Sequence, residues 1–251
     1  MRTTLRAAVA LLTASLLVLP TTGATAAKPA PPDRAAQTGK PLTVMTRNIY
    51  LGGNIMAPIA AVQGKSGAEA LLALGHANHQ LRQVVDRTDF PTRARLLARE
   101  IATTQPDLVG LQEVALWRSG PMELGGALGV RNATQVDFDF LAILLEEIEA
   151  TGASYRVVAE QREADVEAPA FPEAPNPADP RASDQRLTMR DVVLMRADKG
   201  LRVTASGNGN YTRNFAVNLL GLPLTFLRGY NWVDVQDGPN QVRFVNTHLE
   251  S

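Results

Sequence analysis

The segment Asp107-Leu-Val-Gly-Leu-Gln-Glu113 constrains the fold more than any other, because it is a nearly unbroken apolar run that follows Pro106 and ends on an amide and a carboxylate. A strand with one wet face alternates in polarity. This run does not, so it needs cover on both faces. The flanking sequence offers that cover as helices. Pro91 opens a segment in which Leu97 and Ile101 stand one turn apart and Pro106 ends it, and a stretch from about Asp137 to Ala150 carries Phe140, Ile143, Leu144 and Ile148 on one side. Strands alternating with helices make the chain α/β.

Further elements follow from periodicity. Leu42–Asn48 reads as a strand running into the paired glycines Gly52 and Gly53, and Ser66–Asp86 as a helix kinked or broken at Gly75. A glycine-rich loop is expected around Gly120–Gly129. Strands are expected at Tyr155–Ala159, Asp191–Met195, Leu201–Ala205, Tyr230–Val235 and Val242–Asn246, with Asp237-Gly-Pro-Asn240 turning between the last two. Between Glu163 and Arg186 the prolines at 169, 172, 175, 177 and 180 predict a long surface loop that shapes access to a site. The apolar stretch Phe215–Leu227 suits buried strands better than a membrane-inserting hairpin, since apolar runs of this length usually pack in a sheet.

The amino terminus has a different character. Arg2 and Arg6 precede an apolar run from Ala7 to Leu19, and Ala24-Thr25-Ala26 has the small-x-small form of a signal-peptide cleavage site. That run is shorter than the roughly 20 residues that cross a bilayer. Residues 1–26 are therefore expected to be a removable export signal, 27–40 a flexible proline-containing leader, and 41–251 the folded domain of a secreted protein with no stable membrane anchor and no obligate protein partner. With 25 basic and 25 acidic residues the formal charge is +0, which gives no bulk attraction for nucleic acid, and the absence of cysteine excludes disulfides, thiolate metal sites and a cysteine nucleophile.

Three of the core strands end in polar groups: Asn48, Gln112-Glu113 and Asn246-Thr-His248. Strand ends are where α/β folds place ligands. Glu113 is a hard oxygen donor for a divalent cation, Asn48 adds a neutral amide, and His248 can give a proton to a phosphate oxygen. Such a set suits metal-assisted phosphoester hydrolysis.

Four segments, Thr46-Arg-Asn-Ile-Tyr50, Asp107-Leu-Val-Gly-Leu-Gln-Glu-Val114, Arg190-Asp-Val-Val-Leu194 and Val245-Asn-Thr-His-Leu-Glu250, resemble in order the motifs of the endonuclease/exonuclease/phosphatase superfamily. The resemblance implies a four-layered α/β sandwich, two mixed β-sheets packed face to face with outer helices. It also implies a divalent-metal-dependent phosphodiesterase of nuclease or sphingomyelinase type, using Mg2+ or another cation such as Mn2+ or Ca2+, whose substrate is a nucleic acid, a phospholipid or a small phosphoester. Carried residue by residue, it makes Glu113 and Asn48 metal-binding and Asn48 and Arg190 phosphate-binding. His248, Asn246 and Asp191 become catalytic. The family's later Gly-Asp-x-Asn and Ser-Asp-His motifs do not occur in this sequence. A catalytically inactive fragment or binding remnant is the alternative expectation, since such motifs supply the general base.

Overall fold

The computed structural model describes residues 41–123, 131–219 and 222–249. The export signal, the leader and most of the expected glycine-rich loop lie outside the described residues. No helix among the described residues is long and apolar enough to cross a membrane.

The apolar run becomes β2 (Leu108–Gln112), every residue of which is buried. It lies parallel to β1 (Val44–Asn48) and antiparallel to β6 (Ser183–Arg196). β6 organises the sheet. Along one edge it pairs first with β2 and then, end to end, with β3 (Leu116–Gly120), while its other edge pairs with β5 (Tyr155–Ala170). β4 (Gln135–Asp139) completes a six-stranded mixed sheet.

Alternate residues of β2 and β6 then go to opposite sides, as the period of a strand requires. Val109, Leu111, Met189, Val192 and Leu194 pack with α2 (Gly67–Arg87), α3 (Phe90–Thr104) and α4 (Phe140–Ala150) through Leu81, Val85, Ala98, Ile101, Leu144 and Ile148. Leu108, Val193 and Met195 face the other way, onto Val233 and Val235 of β10 (Gly229–Asp237). β10 is the middle strand of a second sheet, between β11 (Asn240–Thr247) and β7 (Arg202–Asn210), and this sheet is antiparallel throughout its described strands. The α/β architecture with two sheets face to face and helices packed against the first sheet is thus realised. α1 (Met56–Ala61) packs beside α2. β8 (Phe215–Leu219) and β9 (Leu222–Phe226) form a separate hairpin.

Several local expectations need correction. Residues 163–186 are not one long loop: β5 runs on to Ala170 and β6 starts at Ser183, leaving only 171–182 as the connection. The charged residues here are ladder partners, with Arg186 bonding Asp165 bidentately at 2.7 and 2.5 Å and Thr188 donating to the same carboxylate at 3.0 Å. Pro169 is tolerated because β5 pairs with β6 alone, so its missing N–H disrupts no second ladder. The connection packs toward α2, where the Phe171 N–H donates to the Gly75 carbonyl at 3.2 Å, and none of it lines the cleft described below. The helix expected to begin near Asp137 starts at Phe140, with Asp139 as its cap accepting from Leu141 and Ala142. The residues before it form β4. Phe215–Leu219 and Leu222–Phe226 are strands, but the expectation that they are buried in a sheet does not hold: among the described residues they pair only with each other, and Phe215 is 40% exposed.

α2 is continuous through Gly75. Gly75 is retained for space, since a Cβ there would overlap the Phe171 ring. Gly→Ala inside a helix normally stabilises by about 1 kcal/mol. We expect Gly75→Ala to have the opposite sign, a loss of about 1–3 kcal/mol from overpacking; urea denaturation of the two proteins measures it.

Candidate active site

The cleft is built where two strands end and the backbone turns sharply. Asn48 closes β1, and its Oδ1 accepts the Tyr50 N–H at 2.9 Å, holding Tyr50 in a left-handed conformation at φ 57°. Glu113 follows β2 in the same conformation, φ 58°, at the point where the chain steps from the end of β2 to the start of β3. Non-glycine residues rarely adopt this region, and when they do the surroundings over-determine them. Here the Glu113 carboxylate accepts the Asn48 Nδ2–H at 2.7 Å and the Leu51 N–H at 2.8 Å. The strained turn is pinned by the carboxylate it aims.

His248 arrives from the second sheet, just beyond β11. Its Nε2 lies 3.7 Å from Glu113 Oε1, and its Nδ1 lies 3.8 Å from Glu163 Oε2 and 3.9 Å from Asp191 Oδ1. Glu113, His248, Tyr50, Asn54, Met189, Phe215, Phe226, Arg228 and Leu249 are among the residues lining an open cleft of about 190 Å3. Of the residues read from the sequence as strand-end chemistry, Glu113 and His248 line it, with Asn48 bonded to Glu113 and Asp191 behind them.

Glu163 was invisible to sequence reasoning, which put it at the start of a loop. It sits at a β-bulge, between Arg162, opposite Arg190, and Ala164, opposite Met189. Bulges re-aim side chains, and this one carries Glu163 into the interior, where it is fully buried. Its carboxylate accepts from the Arg228 guanidinium at 2.8 Å and from the Gly229 N–H at 3.2 Å. The available signal was the alternation of charged residues with Ala164, Val166 and Ala168 after a strand, which a bulged edge strand accommodates as readily as a loop.

Two residues carried over from the resemblance do not face the cleft. Arg190 lies on the helical side of the sheet, bonded to Asp139 at 2.5 Å and to the Val114 carbonyl at 3.1 Å. Those contacts commit its guanidinium to holding β6 against the start of α4. Asn246 is buried between the sheets, donating to the Leu111 carbonyl at 3.1 Å and accepting from Gln112 at 2.5 Å. Gly110 is required opposite it, since a Cβ there would fall 2.6 Å from Asn246 Oδ1. It is a strut.

The donors fit a hard cation in part. A magnesium-type ion keeps several waters and takes one or two carboxylates plus substrate oxygens, which matches Glu113 in an open cleft. Asn48 fits less well as a ligand, because its oxygen is turned to the Tyr50 N–H and its nitrogen to Glu113. A second candidate seat is formed by Glu163, Asp191 and His248, whose ligand atoms lie within 4.8 Å of one another. Glu163 is already paired with Arg228 there, which opposes a cation. Burial, and then the Glu163 charge beside it, push the Asp191 carboxyl up to about 8, while the Glu113 backbone N–H and Arg228 act in the other direction.

Neither a protein-family model nor a curated protein sequence matches the chain. Solved structures do match. An endonuclease/exonuclease/phosphatase family protein from Leptotrichia buccalis is 14% identical over 62% of this chain and 47% of that one, with a TM-score of 0.36. Humanized D. rerio TDP2 is 12% identical over 84% and 51%, TM-score 0.38, and Caenorhabditis elegans TDP2 is 15% identical over 84% and 35%, TM-score 0.33. The chain spans about half the length of the first of these, or less.

The raised Asp191 carboxyl predicts a pH dependence with a definite sign. Below about pH 4 it is protonated folded or unfolded; from there to about 8 the unfolded chain ionises while the folded one holds its proton, so stability falls as pH rises. We expect Asp191→Asn to be increasingly stabilising relative to the parent between pH 4 and pH 8 in thermal melts. Glu163→Ala should instead destabilise by about 3–5 kcal/mol, because it removes the carboxylate from a buried ion pair; chemical denaturation checks this.

Proposed function

We propose that this chain is a divalent-metal-dependent phosphoester hydrolase of the endonuclease/exonuclease/phosphatase type, exported and freed of residues 1–26, with 27–40 as a leader to the domain. The observation that carries this reading is the convergence of Asn48 and His248 on the Glu113 carboxylate at one cleft although they lie far apart in the sequence. A cation held at Glu113 would supply Lewis-acid polarisation of a phosphoryl oxygen and charge neutralisation.

The chain's own groups do the rest. Glu113 is oriented before any ligand arrives, because two N–H donors fix its carboxylate. Asn48 offers an amide donor at the same point, suited to a phosphate oxygen that displaces its contact to Glu113. His248 offers an imidazole for proton transfer, and its Nε2 is the nitrogen on the Glu113 side of the ring, facing away from Glu163 and Asp191. In hydrolysis, water adds to phosphorus as the bond to the leaving oxygen breaks, and that oxygen takes up the proton His248 can provide. The formal charge of +0 favours a small or apolar phosphoester over a polyanion.

The test is hydrolysis of bis-p-nitrophenyl phosphate and p-nitrophenyl phosphate by the purified chain with Mg2+, Mn2+ or Ca2+. We expect turnover abolished by EDTA and lowered about 10²- to 10⁴-fold in Glu113→Ala and His248→Ala. A folded protein inactive on both esters with all three metals would sink the reading. Export has its own readout: mass spectrometry of the protein recovered from medium should find Ala27 at the amino terminus.

A further inference from the structure

A second cavity adjoins the cleft. It lies between α1, α2, the first sheet and the β8–β9 hairpin, has a volume of about 70 Å3, and shares Ile55 and Phe226 with the cleft. Its wall is almost wholly apolar, including Ile59, Leu74, Leu81, Trp117, Leu187 and Leu224. Asn78 and Gln185 are its polar side chains among the described residues, and the Asn78 amide is already committed to the Ala168 and Pro169 carbonyls at 3.0 and 3.2 Å. The side of the cleft facing it continues the same chemistry, with Met56, Met189 and Phe215 beside Phe226. A polar, acid- and histidine-bearing cleft thus adjoins a greasy pocket across Ile55 and Phe226.

We propose that the cleft takes a phosphoester carrying one unbranched alkyl chain, and that this pocket receives the chain. The proposal rests on the hydrolytic reading above and adds the substrate class. Apart from the buried, unpartnered Gln185 Oε1, the wall offers little to a sugar or a charged group, whereas each methylene moved from water into it adds about fourfold in affinity, the ratio that ~0.8 kcal/mol gives. A pocket next to the reacting centre would turn that gain into discrimination among esters that share the same phosphate. The β8–β9 hairpin contributes to both cavities, through Phe226 in each, Leu224 in the pocket and Phe215 in the cleft, which gives this otherwise separate element a role.

The test uses a series of alkyl p-nitrophenyl phosphodiesters, methyl to decyl, with the full chain and Mg2+. The expected result is kcat/KM rising about fourfold per methylene over several carbons and then levelling. Leu187→Trp or the milder Ala164→Leu, which fill the pocket, should flatten that rise while leaving the methyl ester within about twofold. Trp117 gives a readout independent of turnover. Its emission should change on titration with n-octyl phosphate but not with inorganic phosphate, and Trp117→Phe should abolish the response. Hydrolysis of the methyl ester with no dependence on chain length would overturn the proposal and leave the hydrolytic reading standing. Failure of every ester to turn over would instead count against hydrolysis, and the octyl phosphate titration would still decide whether the pocket binds a chain.

Discussion

The candidate site depends on one buried amide. Asn246 stands between the two sheets at 3% exposure, donates to the Leu111 carbonyl, and accepts from Gln112 Nε2. Leu111 and Gln112 immediately precede Glu113, and Asn246 is two residues before His248. A single side chain therefore sets the distance between the carboxylate on one sheet and the imidazole on the other. Apolar packing of Val193, Leu108 and Val233 holds the sheets together but is non-directional and tolerates sliding. A buried hydrogen-bonded amide does not, since displacing it leaves polar atoms unpaired at about 1–3 kcal/mol each. Gly110 is the complementary concession, leaving the room in which the amide sits.

From that fixed frame, departures from regular backbone aim the chemistry. Glu113 and Tyr50 take left-handed conformations at strand ends, and Glu163 sits at a bulge. A regular strand would send each side chain to a face fixed by its parity. One residue in an unusual conformation, or one extra residue, breaks that parity locally. Glu163 thereby reaches the interior, meets Arg228 and Gly229, and ties the start of β10 to β5. Its charge beside Asp191 is one cause of the raised carboxyl there, after burial itself.

How much of this was legible in the sequence follows from what drives each element. β2 and the cores of α3 and α4 are formed by apolar periodicity, and they could be read directly. β3, β4 and the far half of β5 could not. Leu116-Trp-Arg-Ser-Gly120 and Gln135-Val-Asp-Phe-Asp139 are too mixed to show a period, and they are strands because β6 offers its edge to β3, and β3 to β4. Residues 160–168 of β5 are dominated by charge and persist as strand through cross-strand pairs such as Arg186 with Asp165. Such pairs are formed between positions about twenty residues apart, which a local window does not see. Gly75 misled for a related reason, since the ring that requires it belongs to Phe171, distant in sequence.

The site was legible to the extent that its residues act at strand ends, and the exceptions explain themselves. Arg190 and Asp191 are neighbours in one motif, yet they occupy opposite faces of β6: the arginine bonds Asp139 at the head of α4, and the aspartate lies against the second sheet, 3.9 Å from His248. Asn246 and His248 share another motif, and one is a strut while the other lines the cleft. A motif on a buried strand must serve two masters, because half of its side chains face the wrong way for chemistry and can contribute only by holding the other half still. Motif identity alone therefore marks a stretch of chain as belonging to the site, and strand parity then divides it between residues that act and residues that fix their geometry.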